Sequence, residues 1–174
     1  MSEKVTEDNS SQNNTSFIND DQYFMAVALL AAKRSHDRET KVGACIINED
    51  KKIVGIGYNG MPNGCRDRNM SWNKNKSIPL DNKHSYVCHA ELNAILNKNS
   101  ADLKNCKIYV TLFPCNECAK CVINSGITEV VYISDKYSYK AETIASKEML
   151  NAANIKYSEW EGTFDNEELL IDFN

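Results

Sequence analysis

Residues 108–133 read IYVTLFPCNECAKCVINSGITEVVYI. Residues 108–111 are β-branched or aromatic and Leu112 is apolar, the composition of a short strand. Pro114 then precedes Cys115 at the start of a helical stretch running to about Asn124, which Gly126 ends. Residues 130–133 form a second apolar strand run. A strand, a helix and a strand in about 26 residues place this stretch in an α/β architecture.

Upstream, residues 89–96 predict a helix with Leu92, Ile95 and Leu96 as its buried stripe. Residues 42–47 and 53–58 predict two strands joined as a hairpin by the polar link 48–52. A leading helix spans residues 23–32, with Asp20 or Asp21 as its cap. It is apolar on nearly every face, so burial on more than one side is expected. Downstream, Ile144, Ala145, Met149 and Ala153 mark a further helix face, and residues 155–157 a last strand. The order β-β-α-β-α-β-α-β after a leading helix implies a sheet covered by helices on both faces.

Residues 1–16 are polar and poor in aromatics, and are expected to form a disordered leader to a single domain spanning 17–174. Residues 65–83 predict an elaborated loop. Phe164, Leu169, Leu170, Ile171 and Phe173 predict that the tail docks on the domain. Lys plus Arg number 20 and Asp plus Glu 24 in 174 residues, a formal charge of −4. No long basic stripe is present to displace counterions from a phosphate backbone, which argues against a general nucleic-acid binder. No apolar run reaches the roughly 18 residues of a membrane span, and the N-terminus lacks the apolar core of a signal peptide. A cytoplasmic protein is expected. Seven cysteines, an odd number, then favour metal-held or reduced thiols over a disulfide framework.

Cys115 and Cys118 are spaced so that both sulfurs at a helix start reach one Zn²⁺, and the positive helix end favours thiolates. Alone, such a pair is equally a metal site, a thiol redox pair or coincidence. His89 supplies a third ligand, and three protein ligands with an open fourth position is the pattern of catalytic zinc. Residues at i and i+2 on a helix face different ways, so His89 and Glu91 converge only where an extended segment enters the helix. That geometry sets two helix starts around one ion. His-x-Glu followed by Pro-Cys-x-x-Cys is the general signature of zinc nucleobase deaminases. Cys121 reads as a small buried hydrophobe, because a fourth protein ligand would leave no room for water. Cys45, Cys88 and Cys106 read as core or surface thiols, and His36 and His84 as loop residues. Lys33, Arg34 and Arg38 near a helix end read as solvated, with phosphate contact as the alternative.

The chain closely resembles the deoxycytidylate (dCMP) deaminases of the cytidine deaminase-like zinc superfamily. The resemblance rests on YFMAVA at 23–28, VGACI at 42–46, GIGYNGMPNGC at 55–65, YVCHAELNAI at 86–95, LFPCNECAK at 112–120 and SDKY at 134–137. It covers about residues 17–173, and the glycine-rich block with the long segment before His89 is its most specific part. It implies a three-layer α/β/α fold with a mixed central sheet of about five strands. It makes His89, Cys115 and Cys118 the zinc ligands and Glu91 the proton shuttle. It places Asn59, Ala90 and Tyr137 on the substrate. It gives Asn59, Gly60, Asn63 and Gly64 to a regulatory nucleotide site, activated by dCTP and inhibited by dTTP, with Mg²⁺ on the triphosphate. From the residues alone that loop is a structural turn whose backbone can also bind phosphate. The implied reaction turns dCMP and water into dUMP and ammonia, supplying dUMP for thymidylate synthesis. The implied assembly is a homo-hexamer, with no nucleic-acid or membrane partner. Two other readings stand beside it: a tRNA adenosine deaminase, against which the acidic balance and the segment between Gly60 and Cys88 count, and a structural zinc or redox module built on Cys115, Cys118 and Cys121.

Overall fold

The computed structural model describes residues 17–65, 72–75 and 77–162. The leader at 1–16, and the tail from 163 onward, lie outside the described residues. The elements are α1 (Asp20–Lys33), β1 (Gly43–Ile47), β2 (Ile53–Tyr58), α2 (Ala90–Leu96), β3 (Lys107–Val110), α3 (Asn116–Ser125), β4 (Glu129–Tyr132), α4 (Ala141–Ala152) and β5 (Lys156–Glu159). Two single-turn 3-10 helices, Pro79–Asp81 and Lys83–Ser85, punctuate the loop before α2.

The strands form one five-stranded sheet in the order β2-β1-β3-β4-β5. The first three are antiparallel neighbours, and β3, β4 and β5 run parallel. The sheet is mixed because a five-residue link can only turn β1 back on itself, whereas α3 and α4 cross over between parallel strands. Side chains alternate across the sheet, and both faces are apolar. On one face Ala44, Ile46, Ile108, Val110 and Val130 pack with residues of α2, α3 and α4. On the other, Cys45, Ile47, Tyr109 and Val131 pack with Phe24, Met25 and Ala28 of α1. The three expected layers are present.

Four local expectations need correction. The cap of α1 is Asn19, whose side chain and that of Gln22 exchange hydrogen bonds with each other's backbone amides, both at 2.9 Å. Asp20 and Asp21 occupy the first turn, where they complement the helix dipole. Second, α1 is buried along one stripe, Phe24, Met25, Ala28, Ala31 and Ala32, while Tyr23 and Leu30 are 47% and 49% exposed. No other helix among the described residues shares its face of the sheet, so its outer side faces solvent. Third, α4 buries Thr143, Ser146 and Leu150, and Ile144 is largely exposed. The face is turned by one residue from the apolar marks because small side chains let α4 approach α3 and the sheet.

The fourth correction concerns α2, which buries Ala90, Glu91 and Ala94, whereas Leu96 is 68% exposed. Leu96 turns outward, while Ile95 packs partly buried against the core and Leu92 lines the cavity, because the helix backbone lies directly on the glycines of β2. A Cβ on Gly57 would stand 2.2 Å from the amide nitrogen of Ala94 and 2.3 Å from the carbonyl oxygen of Ala90. Gly57→Ala is therefore expected to cost about 3 kcal/mol, the upper end for overpacking. For a chain of this size that lowers the melting temperature by roughly 6–12 °C, read by calorimetry. An unchanged melt would show that α2 does not rest on that strand.

Candidate metal and active site

His89 and Cys115 occupy equivalent positions. Each is the extended N-cap residue of its helix, His89 at φ −73°, ψ 159° and Cys115 at φ −74°, ψ 174°. Neither side chain caps its own helix, so both are free to turn toward a common centre between the two helix starts. His89 Nδ1 lies 3.4 Å from Cys115 Sγ and 3.3 Å from Cys118 Sγ. Among the described residues this trio alone brings three donor atoms within 4.8 Å of one another. Tetrahedral zinc with ordinary Zn–S and Zn–N lengths sets such donors about 3.5 Å apart. Donor chemistry and spacing both fit zinc. Cys121, one turn further along α3, is not part of the group; the sequence reads it as a small buried hydrophobe, and it is instead partly buried on the cavity lining.

Without a metal the three groups share protons. The Cys118 thiol and His89 stabilise Cys115 as a thiolate, lowering its pKa to about 4. Cys118 is pushed far up by that same bond and by burial. The Cys115 sulfur raises His89 to about 9. A cation entering this site replaces those protons, so binding releases them and strengthens with pH.

Glu91 sits in the first turn of α2, 4% exposed, and burial raises its pKa above the ordinary carboxylate value. It lines the same cavity as the trio, an opening of about 580 Å³. Asn59, Ala90 and Tyr137 line it too. The Asn59 carboxamide is already engaged: Oδ1 accepts from the Val42 amide, and Nδ2 donates to the Thr40 carbonyl and to Asp37. Gly60, Asn63 and Gly64 lie outside the cavity lining. Gly60 is bridged to Cys88 by reciprocal backbone bonds of 3.0 and 2.9 Å, and Asn63 and Gly64 form an exposed turn with Gly64 at φ +88°.

Sequence reasoning missed one wall of the cavity. Asp37, Lys74, Lys83, His84 and Lys140 all line it. Lys83 is 3% exposed and donates to both Asp37 oxygens at 2.8 and 2.6 Å. Burial opposes ionisation of Asp37, but the Lys83 ammonium and the amides of Glu39 and Thr40 outweigh it and hold the carboxyl below its ordinary value. No spacing signals this pair, because its partners lie 46 residues apart in two polar loops. Lys33, Arg34 and Arg38 do not line the cavity, and Arg34 lies over the Tyr58 ring at 5.5 Å.

A strand order with three parallel strands, helices on both faces and a His/Cys/Cys trio at two helix starts define a three-layer α/β protein with a candidate zinc site. The family model for the cytidine and deoxycytidylate deaminase zinc-binding region matches residues 18–134, and the chain belongs to that family. Deoxycytidylate deaminase of Mus musculus is 53% identical over 153 residues, 88% of this chain and 85% of that protein. That of Homo sapiens is 57% identical over 136 residues, 78% of this chain and 76% of that protein. The crystal structure of dCMP deaminase from the cyanophage S-TIM5 in complex with dCMP and dUMP has a TM-score of 0.62 at 24% identity, covering 80% of this chain and 96% of that one. That likeness concerns the fold. No described helix is long and apolar enough to cross a membrane.

Proposed function

We propose that the protein hydrolyses dCMP to dUMP and ammonia. One observation carries the reading: a His/Cys/Cys donor trio and a buried carboxyl, Glu91, open on one cavity. Similarity to the mouse and human deoxycytidylate deaminases supports the choice of substrate. Zinc held by His89, Cys115 and Cys118 supplies the Lewis acidity that makes water nucleophilic near neutral pH. Glu91 accepts a proton from the attacking water and delivers it to the ring N3 as oxygen bonds to C4. The carboxylate then takes the proton of the new C4 hydroxyl and passes it to the exocyclic amine, leaving a C4 carbonyl. The C4–N bond breaks and ammonia leaves. Ala90 and Tyr137, which line the cavity, border the base and sugar, and Asn59 holds the strand end beside them.

Regulation is part of the proposal. The segment from Gly60, bridged to Cys88, to the exposed turn at Asn63 and Gly64 continues from Asn59 at the end of β2, so a triphosphate with Mg²⁺ ordering that turn also acts on the cavity wall. The dCTP complex activates and dTTP inhibits, in a cytoplasmic homo-hexamer.

The test is absorbance-monitored loss of dCMP by zinc-loaded protein, with and without dCTP and Mg²⁺. Expected are turnover of dCMP far above deoxycytidine and a five- to 150-fold effector shift in apparent dCMP affinity, about 1–3 kcal/mol of coupling. Preference for deoxycytidine, or activity confined to a tRNA adenosine, overturns the substrate. Indifference to both triphosphates removes only the regulation.

A further inference from the structure

We propose that the substrate phosphate binds at the cavity lip on Lys74 and Lys83 beside His84, and that the Glu39 carboxylate occupies this anion position until phosphate displaces it. The proposal rests on the monophosphate reading above. Its basis is the unequal fixing of two carboxylates around one buried ammonium.

An ammonium has three donors. Lys83 gives two to Asp37 and the third to Glu39 Oε2 at 3.1 Å. Asp37 is locked in place. Besides Lys83 it accepts from the amides of Glu39 and Thr40, at 2.9 and 3.1 Å, and from Asn59. Glu39 differs. Its side chain is half exposed, and the same Oε2 atom that meets Lys83 also pairs with Lys74. One oxygen bridging two ammonium groups at the edge of a cavity is the arrangement of a bound anion. Here the anion belongs to the chain.

An exposed carboxylate of this kind is released at small cost. A phosphate dianion offers more charge and three acceptor oxygens, and lysine binds phosphate as a point charge. Lys83 is kept neutralised by Asp37 whether or not Glu39 stays, so the locked pair supplies a fixed rim while Lys74 supplies the free charge. His84 connects this rim to the metal trio. It lines the same cavity as Lys74, Lys83 and His89. Lys140, which also lines the cavity, is committed elsewhere: its Nζ stands 4.0 Å from the Tyr137 ring centroid.

The experiment uses zinc-loaded protein, with KM for dCMP and the inhibition constant of inorganic phosphate as paired readouts. Glu39→Gln is expected to lower both about two- to fivefold, the worth of an exposed ion pair. Lys74→Met is expected to raise both about tenfold, as for a lost bond to a charged group. Lys52→Met, removing an equal charge from the exposed hairpin link, is expected to change neither. In the double variant the gain from Glu39→Gln shrinks, because only Lys83 is left for the carboxylate to occupy. A mere change in field would leave the two effects additive. Additivity, or a rise in both constants with Lys140→Met in place of Lys74→Met, overturns the proposal. Phosphate binding measured by ³¹P NMR on the same variants needs no turnover. A wild-type protein inert toward dCMP therefore defeats the substrate reading, and phosphate binding indifferent to Glu39 and Lys74 defeats this one.

Discussion

Cys118→Ser is expected to yield folded protein with no zinc and no dCMP turnover. The serine keeps nearly the same volume at a buried position and offers no thiolate. Only His89 and Cys115 then remain, and two ligands do not hold a structural-strength zinc site. Without the metal the acidity of water falls back from a pKa of about 7 toward 15.7, so turnover drops below detection. Zinc content by mass spectrometry, circular dichroism and the dCMP assay read the three parts separately. Zinc also stabilises the folded chain by binding it preferentially, so the variant melts lower than zinc-loaded wild type and matches chelator-treated wild type. Cys121→Ser is the comparison, with zinc and turnover both retained. Zinc loss in that variant would overturn the ligand assignment in favour of a closed structural site.

Glu91→Gln separates binding from proton transfer. The amide fills the same space 4% exposed at the start of α2, so zinc and fold are retained. It cannot accept and return a proton, and kcat is expected to fall by the roughly 10²–10⁴ of a general acid–base group. Burying a carboxylate is costly, and a neutral isostere relieves that cost. The variant should therefore melt no lower than wild type at neutral pH. Lost activity with undiminished stability is the signature of a group kept for chemistry. A variant that loses zinc as well would make Glu91 part of the metal site, and full turnover would end its role as shuttle.

The metal trio was legible because its geometry is local. A Cys-x-x-Cys at a helix start presents both sulfurs to one side whatever surrounds them, and an extended residue entering a helix carries His89 the same way. The layer order was legible for a similar reason: periods of two and 3.6 are properties of the chain itself. Which face of a helix lies inward was less so. Leu92, Ile95 and Leu96 have the spacing of a buried stripe, yet Ala90 and Ala94 meet the sheet. The deciding residues, Gly55 and Gly57, lie in another element, where absent side chains let the helix backbone descend.

Sequence by itself determined the strand and helix order, and pointed to His89, Cys115 and Cys118 as candidate metal donors with a carboxyl two residues after the first of them. Each motif is local, three residues from Cys115 to Cys118 and two from His89 to Glu91, whereas the fold brings His89 to cysteines 26 and 29 residues further on. Only the tertiary structure decided the lysine-rich wall. Asp37 and Lys83 are unremarkable in loops 46 residues apart, and they become a buried ion pair only when β1, β2 and the long loop before α2 close around Asn59. Charge in a loop defaults to solvent, and nothing short of the completed fold removes that solvent and makes the pairing specific.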